Sequence, residues 1–222
     1  MSLLLLRPCL VLVLVLGACG APSGQVTVAN HLQDAAPPVA RKLLLVTEGN
    51  MQLEGALLVE RSGEYDKVTP AELDAMPATK LVGYSVVILD SHTPTARLRI
   101  PALYFDPKGE HAPFRIRARA AHPRVLATAE NHQVMRWVTL SDARFDDASV
   151  FGLDATRGDT ALATIEGGAM IAAGTISGYR VVACGFGLDS TDLALRVAFP
   201  MLLWNALDWL EGRPPRDAKQ PR

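Results

Sequence analysis

Four polar residues fall just past short apolar runs, and they are the groups whose chemistry this chain could use. Glu48 follows Leu43–Val46, Asp90 and His92 follow the run 85–89, and Asp106 follows Ala102–Phe105. If those runs are parallel strands, all four residues reach the carboxyl edge of one sheet, where open α/β sheets bind ligands. Carboxylates and an imidazole gathered there could hold a polar ligand or serve a hydrolase. The ordinary alternative is that they cap helices and turns. Covalent catalysis asks for more: a nucleophile on a sharp strand-to-helix turn, framed by glycines, with a histidine and a carboxylate beside it. Ser91 has no such frame, and Thr93-Pro94 stands where a helix should start. Cys184 lies inside an apolar run and reads as a core residue. His132, after Asn131, reads as a turn residue. No catalytic residue is assigned. With no CxxC and no Cys/His cluster at zinc spacing, no metal or cofactor is expected either.

The elements that must position these residues follow from the apolar pattern. The runs 43–46, 65–68, 85–89 and 102–105 read as strands, the third being the most β-branched. Between them lie a helix over 51–60 and a shorter one opened by Thr69-Pro70-Ala71-Glu72. There threonine is the cap, proline fills the first turn, and glutamate stands three residues on. Alternating strands and helices predict an open, mostly parallel sheet with helices on both faces. Farther on, 114–119 alternates like a half-exposed strand. Its Arg115, Arg117 and Arg119 share one face and suit a solvated sheet edge. Residues 161–166 and 169–173 flank Gly167-Gly168, a hairpin signal, and lead into the strand at 181–183, so an antiparallel meander joins the parallel part. Ser190 or Thr191 is expected to cap a last helix, with Asp192 in its first turn, running through Leu193 to Leu210. Arg196, Pro200, Asn205 and Asp208 make this a core helix rather than a membrane span, since each charge at bilayer depth costs about 2.5–3.5 kcal/mol.

The totals exclude several classes of function. Nearly half the residues are hydrophobic and a fifth are charged, which fits a folded domain with a sizeable core. A net charge of −1 gives no footprint for nucleic acid. The three cysteines, at 9, 19 and 184, form no disulfide framework.

The first 20 residues have the proportions of an export signal: Arg7, then an apolar run from Cys9 to Leu16. The run ends in Leu16-Gly17-Ala18-Cys19, which resembles the bacterial lipobox. That resemblance implies lipidation of Cys19 and anchoring to a membrane on the periplasmic side of the cell envelope. The expected organisation is a signal over 1–19, a linker over 20–40, an α/β domain over 41–212 and a polar tail over 213–222.

Three runs carry a further resemblance: Val134-Met135-Arg136-Trp137-Val138 after Asn131-His132, Val181 through Phe186, and Asp192 through Pro200. They resemble the C-terminal module of BatA-like bacterial membrane proteins that carry a von Willebrand factor A domain. That module is similar to the class I glutamine amidotransferase-like fold, with its flavodoxin-like sheet. The sequence in hand has no A domain, so no metal-dependent adhesion site is carried over. The resemblance implies a non-catalytic, envelope-anchored scaffolding module with a Bat-type membrane protein as partner. The alternative is a periplasmic hydrolase or ligand-binding protein using the edge around Glu48, Asp90 and His92.

Overall fold

Period-two burial in four-residue strands sets the architecture. In the computed structural model, which describes residues 42–61 and 64–215, the first strand, β1 (Leu43–Val46), is buried along its whole length. Leu43 and Leu45 face one half of the core, while Leu44 and Val46 face the other. A strand buried on both sides is the mark of a sheet sandwiched between layers. It leads into α1 (Met51–Arg61), β2 (Tyr65–Val68), α2 (Pro70–Asp74), α3 (Ala78–Leu81), β3 (Val87–Asp90) and β4 (Ala102–Phe105). An antiparallel excursion follows: β5 (Arg115–Ala121), β6 (Ala127–Thr128), β7 (Asp147–Gly152), β8 (Thr160–Ile165) and β9 (Gly168–Ile176). The chain then returns to the parallel region as β10 (Tyr179–Cys184) and closes with α4 (Ala198–Leu210).

The sheet runs β2-β1-β3-β4-β10-β9-β7-β5, with β8 and β6 branching from β9. Its first five strands are parallel, in flavodoxin-like order, and the rest are antiparallel. The expected α/β class, a mostly parallel sheet joined to an antiparallel meander, is the one observed. One face is covered by α1 and α4, through Leu53, Leu57, Phe199, Leu203 and Leu207. The ring of Phe199 meets that of Phe105 at 6.2 Å. The other face takes Leu73 of α2, Tyr84 and Phe114. Each fully buried Leu or Phe contributes about 1.5–3 kcal/mol, so these two layers supply most of the drive to fold.

One expectation about an element is corrected. The last helix starts at Ala198, not at Asp192, and the chain before it makes short 3₁₀ turns at Leu188–Ser190 and Leu193–Leu195. The expected capping groups are used elsewhere. Thr191 Oγ1 donates to the carbonyl of Arg144 at 2.6 Å, and Asp192 Oδ1 accepts from the Arg144 amide at 2.8 Å. A helix running from Asp192 would also carry Pro200 in its interior, where it lacks a donor and crowds the carbonyl four residues back. Starting at Ala198 puts that proline in the first turn. β7 is a strand for which the apolar pattern gives no expectation.

Candidate functional site

The carboxyl edge of the parallel strands is built by backbone turns that side chains lock. At the β1/β3 boundary the strand order reverses, which is where such sheets open a crevice. Thr47, fully buried after β1, donates its hydroxyl to Asp90 Oδ2 at 2.7 Å and accepts from the Gly49 amide at 3.0 Å. Asn50 Oδ1 then accepts from the Leu53 amide and starts α1. Asp90 is therefore tied across the boundary to its neighbouring strand. Glu48 is exposed on the same edge.

The next two strands both end in left-handed residues, Ser91 at φ +53° and Asp106 at φ +45°. Non-glycine residues there cost about 1–3 kcal/mol and are held by their surroundings. Here the ladder holds them: Ser91 N donates to Phe105 O, and Asp106 N donates to Cys184 O, both at 2.9 Å. Ser91 is exposed, and the loop after β10 packs against it. A Cβ built on Gly187 would stand 3.6 Å from Ser91 Oγ and 2.5 Å from Asp189 Oδ1, so a larger residue there would require the Asp189 side chain to move. No helix begins after Ser91, since the connection 91–101 contains none.

His92 turns away from Asp90 and meets Asp74 of α2, Nε2 to Oδ1 at 3.3 Å. Asp106, 5% exposed, is held by Arg119 Nη1 at 2.8 Å and by Lys108 Nζ at 3.4 Å. Arg119 also grips Asp147 with two bonds, at 2.9 and 2.7 Å. Those bonds hold the Asp147 carboxyl below its ordinary pKa and raise that of the guanidinium. The structure thus places Glu48, Asp90, His92 and Asp106 on one edge but gives the last three separate partners. Among the described residues, no group of three or more His, Cys, Asp or Glu is arranged to hold a metal.

Arg119 is the residue that sequence reasoning missed. The sequence pattern groups it with Arg115 and Arg117 on a solvated face. The register shift between Ile116 and Ala118 breaks that alternation, and Arg119 bridges two carboxylates. Only the alternation 114–119 was legible, and a bulge is invisible in it. Cys184 is fully buried, and burial pushes its thiol far up, which rules it out as a nucleophile. His132 caps the 3₁₀ turn Gln133–Met135: its Nδ1 accepts from the Val134 amide at 3.2 Å, and its ring lies 5.4 Å from that of Trp209. Burial lowers its pKa, so the neutral ring that accepts this bond is favoured. Cys19 and the leader lie outside the described residues.

No family model matches this sequence, and no curated protein matches it. Solved structures do. The cytoplasmic protein STM1381 from Salmonella typhimurium LT2 is similar at a TM-score of 0.59 and 12% identity, covering 76% of this chain and 99% of its own. The cytoplasmic protein STM3548 from Salmonella typhimurium has the same score at 10% identity, covering 76% of this chain and 98% of its own. A ThuA-like protein from Bacteroides uniformis ATCC 8492 scores 0.53 at 12% identity, covering 78% of this chain and 93% of its own. These are likenesses of fold, and the fold is the class I glutamine amidotransferase-like one. Two expectations are overturned. The BatA-like resemblance does not stand, because the similar structures are cytoplasmic Salmonella proteins and a ThuA-like protein, with no link to von Willebrand factor A proteins. The envelope location does not stand either. The two Salmonella proteins that share the fold are described as cytoplasmic.

Proposed function

We propose that the chain is a non-catalytic interaction module that works through a protein-binding surface and not through turnover. The observation that carries this reading is the commitment of the strand-end groups: Asp90 to Thr47, His92 to Asp74, and Asp106 to Arg119 and Lys108. A base already engaged in the scaffold is not poised to take a proton from Ser91. Apolar surface is instead concentrated between α1 and the start of α4. There Gly55, Ala56, Pro200 and Trp204 line a groove, and Val59 and Leu195, 74% and 82% exposed, stand at its rim. Large exposed apolar residues flanking a groove mark contact surfaces. The test compares Val59→Asp/Leu195→Asp with Ser91→Ala, reading the native size of the tagged chain in extracts of the cells that make it. The double variant is expected to shift the chain to its monomer size while Ser91→Ala leaves it in a larger species. A monomer in the unaltered protein, or a shift caused by Ser91→Ala instead, overturns the reading.

A further inference from the structure

The main path of the sheet ends in β2 on one side and in β5 on the other, and the two ends differ in how their charge is balanced. The charges of β2 are paired inside the chain: Asp66 with Lys42 and the Tyr84 hydroxyl, Lys67 with Glu54. On β5, Arg119 is taken by Asp106 and Asp147. Arg115 and Arg117 are exposed and make no ion pair among the described residues. Arg117 is the extra residue at the register shift between Ile116 and Ala118. A methyl built on Gly152 of β7 would overlap its side chain, so this arginine lies along β7 with its charge unpaired.

The backbone of β5 is open as well. The strand pairs with β7 on one side, and among the described residues no backbone hydrogen bond reaches Arg115–Ala121 from the other. Alternate residues therefore turn unpaired amides and carbonyls outward. Five of the seven residues are exposed, and three of those seven are alanines, so little side-chain bulk bars a neighbouring chain. Charge and a bulge on an edge ordinarily keep it from pairing with a copy of itself. Here that protection has one sign. A second β5 would set arginine against arginine, which is unfavourable, whereas a strand carrying carboxylates would meet its complement.

We propose that β5 takes up an extended, acidic segment of another protein as an added strand. Main-chain hydrogen bonds along 115–121 would hold the segment, and carboxylates set against Arg115 and Arg117 would select it. The edge shares no residue with the α1/α4 groove, so it stands or falls independently of that surface.

The test uses the purified chain and two fluorescent peptides of the strand's length, one alternating glutamate with valine and the other lysine with valine. Anisotropy titration at physiological salt should show the acidic peptide bound about tenfold more tightly than the basic one, which is within reach of two exposed charge pairs. Amide exchange followed by NMR should slow at alternate residues of 115–121 when the acidic peptide is bound, the mark of main-chain pairing. Arg115→Gln/Arg117→Gln should weaken the acidic peptide, and Arg115→Glu/Arg117→Glu should turn the preference to the basic one. Both variants change exposed positions and should fold as the parent does; the exchange measurement on the parent needs neither. No binding of the acidic peptide at millimolar concentration overturns the proposal. So do equal affinities for the two peptides, unchanged exchange along β5, or a preference that survives charge reversal.

Discussion

Gly185, immediately after β10, should be the least replaceable of the described glycines. Its amide donates to Met170 O of β9 at 2.8 Å, and its carbonyl accepts from Ser149 N of β7 at 2.6 Å. A methyl placed there would penetrate the carbonyl oxygen of Ser149 and lie 3.0 Å from that of Met170. Both obstacles are strand backbone, so neither can rotate aside. Overpacking of this kind costs about 1–3 kcal/mol, and each weakened buried hydrogen bond adds about 0.5–1.5 kcal/mol. Gly185→Ala should therefore destabilise by about 2–6 kcal/mol, a large share of a total of roughly 5–15 kcal/mol. Gly55, inside α1, has ordinary helical backbone and nothing within 4 Å of where a methyl would stand, so Gly55→Ala should stabilise by about 0.4–1 kcal/mol. Urea titration of both variants against the parent tests the pair. A Gly185→Ala protein within about 0.5 kcal/mol of the parent, at unchanged m-value, would refute the reasoning, because that is the scatter of substitutions at sites without strain.

Arg119→Ala should cost about 2–4 kcal/mol: breaking a buried pair costs about 3–5 kcal/mol, reduced here because Arg119 is 41% exposed and Lys108 stays near Asp106. The same variant should flatten the acid limb of stability. Arg119 lowers the Asp147 pKa, so that stabilisation is complete above the unfolded value near ~3.9 and is lost as pH falls through the folded one. Chemical denaturation from pH 7 to pH 2 would show this. Asn205→Ala should cost about 1–3 kcal/mol in the same urea assay, because Asn205 Nδ2 donates to the carbonyls of Arg136 and Val134 from inside the core and both bonds are lost when it is removed. Cys184 should react with a thiol reagent only as fast as the protein opens, and Cys184→Ala should lower stability by about 1 kcal/mol through a small cavity. Reaction at the free-thiol rate in the native protein would contradict its place in the core.

The parallel half of the fold was legible because its signals are local. Four apolar runs mark the first strands, Thr69 and Glu72 form the reciprocal cap their spacing implies, and Gly167-Gly168 makes the hairpin turn. What stayed hidden depends on contacts far apart in sequence. In β7, Asp147 and Ser149 interrupt the apolar pattern; the strand is buried because β5 and β9 flank it. The start of α4 departs from the expected one because Thr191 and Asp192 bond to the Arg144 loop instead of to the helix. The strand-end residues were identifiable by type, but their partners were not. Thr47 lies 43 residues from Asp90, and Asp74 lies 18 from His92.

The central claim is that the working surface is the α1/α4 face and not a catalytic edge. Photo-cross-linking inside the producing cells tests it most directly, with a photoreactive residue at Leu195 and, as a control, at the exposed Lys80 of α3. A protein adduct of discrete mass is expected from Leu195 and none from Lys80. Absence of an adduct at Leu195, or equal labelling from both positions, would contradict it.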